Sequence, residues 1–354
     1  MSRRNLHMKI KRIFCGVLAA GMLLGQTGTI WAEATDTTAG DTVTGSPTPT
    51  PDPHTEYYTQ AADTDSIEGW PEGPRREAQS AVLMDLNTEA ILYSKNANTK
   101  LYPASITKLL TCLLGCEHLD VNAEVTLSQQ AAYGIEAGSS TIYGDAGEVF
   151  TVEQCLMALM LESANEMALA IGEEVSGSVK KFVELMNTRA EQLGCKNSHF
   201  NNPNGLPDET HVTTAADMAK IAKAAWQNSL CRKFFTTDLY NIPPTNIFKE
   251  TRYLLNHHKM MEGRDYAYSG VLGGKTGYTD AAGSTLITYA KRGNMALVAV
   301  VMNSVNGAWA DTKSLLDYGF DSFECKKVKL SKNPVPKKNL PNEQYLLNNC
   351  GNTY

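Results

Sequence analysis

The sequence predicts an α+β fold: one antiparallel sheet built from strands near both ends of the folded region, with helices packed on it. Three observations carry this. Paired apolar runs joined by short polar turns occur early and again late, the chain between them has mainly helical periodicity, and the flanks are low in complexity. The early pair is SAVLMDL and AILYSK around Asn87-Thr88-Glu89, which reads as a β-hairpin. The late pair is STLITYA and MALVAVVMNS around Lys291-Arg292-Gly293-Asn294, a second hairpin. Between them, Ile106, Leu109, Leu110, Leu113 and Leu114 form an apolar stripe that predicts a helix from Ser105 to Glu117. Thr151 and Gln154 have capping-box spacing before VEQCLMALML, and Thr214 and Asp217 form a variant box before AADMAKIAKAAW. A last helix is expected from Trp309 to Tyr318.

The chain has 354 residues, 42% hydrophobic, 20% charged and 8% aromatic, which suits a protein with a buried core and excludes collagen, coiled-coil and polytopic membrane classes. Net charge is −6 without a dense Lys/Arg block in the central region, so no nucleic-acid partner is expected. Residues 1–34 read as a secretory signal peptide: Arg3, Arg4, Lys9, Lys11 and Arg12 precede an apolar run from Ile13 to Leu24, and Ala32-Glu33-Ala34 supplies small residues for cleavage. That run is short of the ~20 residues a spanning helix needs. Residues 35–74, rich in Thr, Pro and Asp, are expected to be a disordered spacer. Residues 75–325 are expected to form one folded domain, and 326–354 a basic, Pro-broken tail with no amphipathic or membrane helix. The protein is therefore expected to be secreted. Of eight cysteines, seven follow the signal segment, an odd number that leaves at least one thiol without an intramolecular partner. No Cys-x-x-Cys or His-Glu-x-x-His occurs, so no metal site is expected, and most of these cysteines read as small buried hydrophobes.

Three short motifs carry chemistry. Ser105-Ile106-Thr107-Lys108 sets a hydroxyl and an amine about one helical turn apart, where a buried, neutral lysine can take a proton from the serine. Backbone N–H groups at the start of that helix would face a developing oxyanion. Ser163-Ala164-Asn165 reads as a corner between helices that presents a hydroxyl and an amide, although either residue could serve as a helix cap. Gly273-Gly274-Lys275-Thr276-Gly277-Tyr278 places a cation and a hydroxyl on an extended strand, with glycines permitting close backbone approach. A phosphate-binding loop is excluded, because its register requires glycine where Ser269 stands.

Each motif alone is weak, but Ser-x-x-Lys, Ser-x-Asn and Lys-Thr-Gly in this order resemble serine penicillin-binding proteins and class A β-lactamases. Over residues 75–320 the chain most resembles the low-molecular-mass D-alanyl-D-alanine carboxypeptidases, with PASITKLLT, LESANEMALA, HFNNPNGLPDETHVTT and GGKTGYTDAAGSTLITYAKR as matching segments. The resemblance implies a β-lactamase/transpeptidase-like fold with helices on both faces of the sheet and a helical subdomain. It implies that Ser105 is the nucleophile, Lys108 its base and Ser163 the proton relay to the leaving D-alanine. Asn165, Lys275, Thr276, Gly277 and Tyr278 would bind substrate, Lys275 and Thr276 at its carboxylate, and the N–H groups of Ser105 and Tyr278 would form the oxyanion hole. The implied substrate is a peptidoglycan stem peptide ending in D-Ala-D-Ala, with β-lactams as covalent inhibitors and no cofactor. His211 and Asp217 also match and are expected to be structural, in loop packing and helix capping. The sequence departs from the family pattern at Ala164, where glycine is common, and at Asn204, where histidine is often seen. The relatives' β-rich C-terminal domain and amphipathic anchor have no match in the tail. Two other readings stay open: a β-lactamase, for which Asp208 or Glu209 would have to activate the deacylating water, and a catalytically silent cell-wall-binding protein.

Overall fold

Alternating residues of the central strands feed two separate cores, which is what a sheet covered on both faces requires. The computed structural model describes residues 53–305 and 307–326. The signal-like segment, the first part of the spacer and all but the first residue of the tail lie outside the described residues. Strands β1 (Ser80–Asp85) and β2 (Ile91–Lys95) form the early hairpin. Strands β3 (Glu124–Thr126) and β4 (Val149–Thr151) pair separately, as do β5 (Leu239–Ile242) and β6 (Arg252–Leu255). Strands β7 (Val271–Thr279), β8 (Gly283–Arg292) and β9 (Met295–Ser304) complete the main sheet, antiparallel throughout in the order β2-β1-β9-β8-β7. Ser80 pairs with Met302 and Asp85 with Leu297, so the two ends of the domain close the sheet at its centre, as expected.

On one face Val82, Met84, Ile287, Val298 and Val300 join a core shared with helices α2 (Lys108–His118), α4 (Val152–Leu161), α5 (Asn165–Ser176), α6 (Val179–Gln192), α7 (Ala215–Gln227) and α8 (Ser229–Thr236). On the other, Leu83, Leu297, Ala299 and Val301 pack with Leu315 and Leu316 of α9 (Ala308–Ser322). The short helices α1 (Pro53–Thr59) and α3 (Gln129–Tyr133) complete the set among the described residues. No helix among them is long and apolar enough to cross a membrane.

Helix starts follow their side-chain chemistry. Thr151 Oγ1 accepts from Gln154 N at 3.2 Å while Gln154 Oε1 accepts from Thr151 N at 2.9 Å, a complete capping box. The box at Thr214 is only half formed. Thr214 Oγ1 accepts from Asp217 N, but the Asp217 carboxylate turns to Asn197 N and Ser198 Oγ at 2.8 and 2.9 Å, tying the preceding loop to α7 instead of capping it. Asp217 is thus a loop anchor, and the expectation of a capping carboxylate is corrected.

Two further expectations change. Ser105 lies in a 3-10 turn, Ala104–Thr107, and the α-helix begins only at Lys108. The spacer does not run to residue 74, because residues 56–74 are packed against the domain. Trp70 Nε1 donates to Leu92 O at 2.9 Å, and Gly73 N donates to Asp65 Oδ1 at 2.7 Å. The buried Lys95 ammonium donates to Arg76 O at 2.7 Å and to Tyr57 O, and Tyr318 OH donates to Pro71 O at 2.7 Å. The polar average of the segment obscured a few aromatic and carbonyl anchors.

Candidate active site

The 3-10 turn enters from Pro103 through Ala104, whose φ of 50° is costly for a residue with a side chain. The turn is held from outside. Thr285 Oγ1 on β8 donates to Pro103 O at 2.9 Å, and β7 lies so close that a carbon added at Gly277 would sit 2.4 Å from Thr285 Oγ1 and 2.9 Å from Ser105 N. Only glycine permits this approach, and it brings the Lys-Thr-Gly strand, an edge of the sheet, alongside the backbone amide of Ser105. Gly205 plays the same part opposite. A carbon there would fall 1.9 Å from Ala104 O.

Lys108 is fully buried, and its Nζ lies 2.8 Å from Ser105 Oγ and 2.6 Å from Asn204 O. Burial drives its pKa well below the ordinary lysine value, the nearby Lys275 cation pushes in the same direction, and the Glu166 carboxylate opposes them. A neutral amine in contact with a hydroxyl is the arrangement a general base needs. Because the Asn204 contact uses the backbone carbonyl, the departure from histidine at this position leaves Lys108 fully held. The Asn202–Leu206 turn supporting that carbonyl is internally bonded, with Gly205 N donating to Asn202 Oδ1 at 2.7 Å and Asn202 Nδ2 to Leu206 O at 2.9 Å.

Ser163 sits between α4 and α5 with φ of 61°, and its buried hydroxyl has no hydrogen-bond partner. It caps nothing. The residue at the cap position of α5 is Ala164, at φ of −57°, so the family's glycine is not required there. An unpartnered hydroxyl in a strained corner is the combination expected where a group is held for a ligand. Asn165 opens α5, and its backbone N–H donates to Ser140 O at 2.8 Å.

Lys275 is buried, and its pKa is lowered to about 7 by that burial, with Glu162 acting against it. Its Nζ donates to Thr276 O at 2.9 Å. Glu162 itself is engaged by His257 Nε2 at 3.0 Å and by Leu255 N at 2.6 Å. Ser105 stands where two clefts meet. One, of about 520 Å³, includes Ser139, Ser140, Asn165, Asn204 and Tyr278, and the other, of about 430 Å³, includes Ser163, Thr276, Gly277, Tyr278 and Trp309. The structure thus places Ser105, Lys108, Ser163, Asn165, Lys275, Thr276, Gly277 and Tyr278 in one region. Lys108 and Lys275 form its buried floor, and Tyr278, 66% exposed, forms its rim.

Sequence reasoning missed several supports. Glu166 Oε1 accepts from Thr141 Oγ1 at 2.6 Å and Ile142 N at 2.7 Å, fixing the loop that carries Ser139 and Ser140 to α5. Its place directly after Ser-Ala-Asn was the available signal. His211 accepts from Asn201 N at Nδ1, so its Nε2 donates to Thr107 Oγ1 at 3.0 Å, and burial lowers its pKa to about 4. This neutral histidine braces the turn from behind, in keeping with the loop-packing role expected of it.

A family model described as D-alanyl-D-alanine carboxypeptidase (peptidase family S11) matches residues 68–306. Curated relatives include D-alanyl-D-alanine carboxypeptidase DacF of Bacillus subtilis (strain 168), 37% identical over 255 residues, covering 70% of this chain and 63% of the relative. DacA of Escherichia coli (strain K12) is 31% identical over 265 residues, covering 71% of this chain and 62% of its own length. The match thus spans less than two thirds of these relatives. Among solved structures, the Streptomyces K15 DD-transpeptidase superposes with a TM-score of 0.66 at 28% identity, covering 70% of this chain and 99% of that one.

Proposed function

Since the chain belongs to the D-alanyl-D-alanine carboxypeptidase family, peptidase S11, we propose that it is a serine D-Ala-D-Ala carboxypeptidase acting on peptidoglycan stem pentapeptides. The observation that carries the reading is the buried Lys108 amine, 2.8 Å from Ser105 Oγ beside a cleft lined by Ser163, Thr276 and Gly277. Lys108 takes the Ser105 proton as Oγ attacks the carbonyl carbon of the penultimate D-alanine. The N–H groups of Ser105 and Tyr278 receive the oxyanion, and Lys275 and Thr276 hold the terminal carboxylate. Ser163 relays the proton taken up by Lys108 to the departing nitrogen as the C–N bond breaks, releasing D-alanine and leaving an ester on Ser105. Water then attacks that ester, its proton returning through Lys108, and frees the shortened peptide. All of these groups belong to the chain, and the reading invokes no cofactor. A β-lactam acylates the same serine.

Against the β-lactamase reading, Asp208 is closed on its own loop, accepting from Thr210 N at 2.9 Å and from Asn201 Nδ2 at 2.5 Å, and Glu209 is exposed. Neither residue lines the two clefts that meet at Ser105, where a carboxylate would have to stand to activate water over the ester. Secretion to the cell wall is part of the proposal and rests on the n-region, apolar run and small-residue triplet of residues 1–34. The test is intact-mass analysis after a β-lactam, with D-alanine release from a D-Ala-D-Ala peptide followed in parallel. A stable adduct and D-alanine release, both lost in Ser105→Ala, are expected. Rapid lactam turnover without peptide cleavage would favour the β-lactamase, and a folded protein giving neither would favour a binding protein.

A further inference from the structure

All six described cysteines are unbridged, and three of them converge although the sequence spacing gave no sign of it. Cys112 and Cys116 occupy successive turns of α2 and so share one face. Cys231 arrives on α8, 119 residues after Cys112, and its Sγ lies 3.5 Å from Cys112 Sγ. All three sulfurs fall within 4.8 Å of one another. We propose that Cys112, Cys116 and Cys231 form a three-thiolate site for a thiophilic d10 metal ion, such as Zn²⁺ or Cu⁺. The size fits: three sulfurs each about 2.3 Å from a tetrahedral zinc ion are about 3.8 Å apart. The chemistry fits as well, because the cluster contains only sulfur, with no imidazole or carboxylate among the grouped ligands, and soft ligands select soft ions. Cys112 and Cys231 are buried, whereas Cys116 is half-buried, so an ion would enter and take its fourth ligand from the Cys116 side.

A disulfide is the competing use of these thiols. A Cys112–Cys231 bridge would draw the two sulfurs to about 2.05 Å and strand Cys116 beside it with no role. Three mutually adjacent sulfurs are what a metal requires and one more than a bridge can use. The site also has a defined mechanical position. It joins the helix that begins with Lys108 to the helix whose Phe235 carbonyl closely abuts Gly273 of β7, so the ion would tie together supports of the nucleophile and of the Lys-Thr-Gly strand.

The test uses the full chain, reduced with a phosphine, desalted under nitrogen and titrated with Cd²⁺ as a spectroscopic probe for the site. Expected is a thiolate-to-cadmium charge-transfer band that saturates at one equivalent, is displaced by Zn²⁺, and raises the melting temperature. The band should persist in Cys325→Ser and disappear in Cys116→Ser and in Cys231→Ser. Because Cys116 is half-buried, its serine variant spares the core, and circular dichroism with β-lactam labelling checks that both variants are folded. No band in the parent chain, or a band retained in folded Cys116→Ser, overturns the proposal. So does a peptide map of the chain as isolated that shows a Cys112–Cys231 bridge.

Discussion

The proposed mechanism requires opposite protonation states of two buried lysines, and each is set by where its side chain is held. Lys108 acts as a base only when neutral, and its pKa is held well below the ordinary lysine value by burial and by Lys275. Lys275 holds a carboxylate only when charged, and burial places its pKa at about 7 in the free protein. The signs then follow. The rate constant kcat/KM should rise on the acid side as Lys108 loses its proton, and fall above about pH 7 as Lys275 loses its own. A bound carboxylate stabilises the charged form of Lys275, so the alkaline limb should move to higher pH in kcat than in kcat/KM. Steady-state D-alanine release across pH measures both. An alkaline limb at the same pH in the two profiles would assign it to another group. A neutral Lys108 and a cationic Lys275 were expected from their motifs; that burial brings the Lys275 pKa down to about 7 was not. Lys108 and Lys275 could be named from their motifs, but the groups that act on the two amines, the Asn204 carbonyl and the carboxylates of Glu162 and Glu166, come from two stretches that only the fold brings together.

At the scale of elements, the site depends on how closely β7 approaches the Ser105 turn. The torsions of Gly277 do not demand glycine; the space does, since an added carbon would meet Thr285 Oγ1 at 2.4 Å and Ser105 N at 2.9 Å. Gly277→Ala should therefore push the strand outward and shift the Tyr278 amide relative to Ser105. A displacement near 1 Å at reacting groups can cost about 100-fold, and that is the expected loss in the rate of β-lactam acylation, read by stopped flow. Lys108 remains buried in this variant, so acylation should slow without being abolished as it is in Ser105→Ala. An unchanged rate would show that the strand does not set the oxyanion geometry. Flanking glycines pointed to close backbone approach at this strand, and both hairpins were legible because their apolar runs and turns are local. The 3-10 turn at Ser105 was not, since Ile106, Leu109 and Leu110 suit either helix type. What selects the tighter turn is the positive φ of Ala104 and the Thr285–Pro103 contact, the latter from a residue far along the chain.

For the whole molecule, the consequence of a sheet closed by both chain ends is that its two halves cannot be stabilised separately. Asp311 sits at this closure. Its carboxylate, 3% exposed on α9, accepts from Ala78 N at 2.9 Å, Glu77 N at 3.2 Å and Ser304 Oγ at 2.8 Å, linking the approach to β1, the end of β9 and the covering helix. From the sequence, Asp311 is one polar residue in an expected C-terminal helix; its partners Glu77 and Ala78 lie more than two hundred residues earlier, so only the closed sheet reveals the role. Replacing it with alanine leaves two backbone donors and a hydroxyl unmatched in a dry environment, which should cost about 3 kcal/mol. For a domain of this size each kcal/mol shifts the midpoint by roughly 2–4 °C, so Asp311→Ala should melt about 6–12 °C lower. The closure joins the first strand to the last, so the loss should appear as one cooperative transition, with fluorescence and circular dichroism giving the same midpoint. The catalytic groups lie on other elements, and β-lactam acylation at 25 °C should stay within about twofold of the parent rate. An early separate transition would mean that the helical part of the domain stands on its own, without the strand contributed by the N-terminal end.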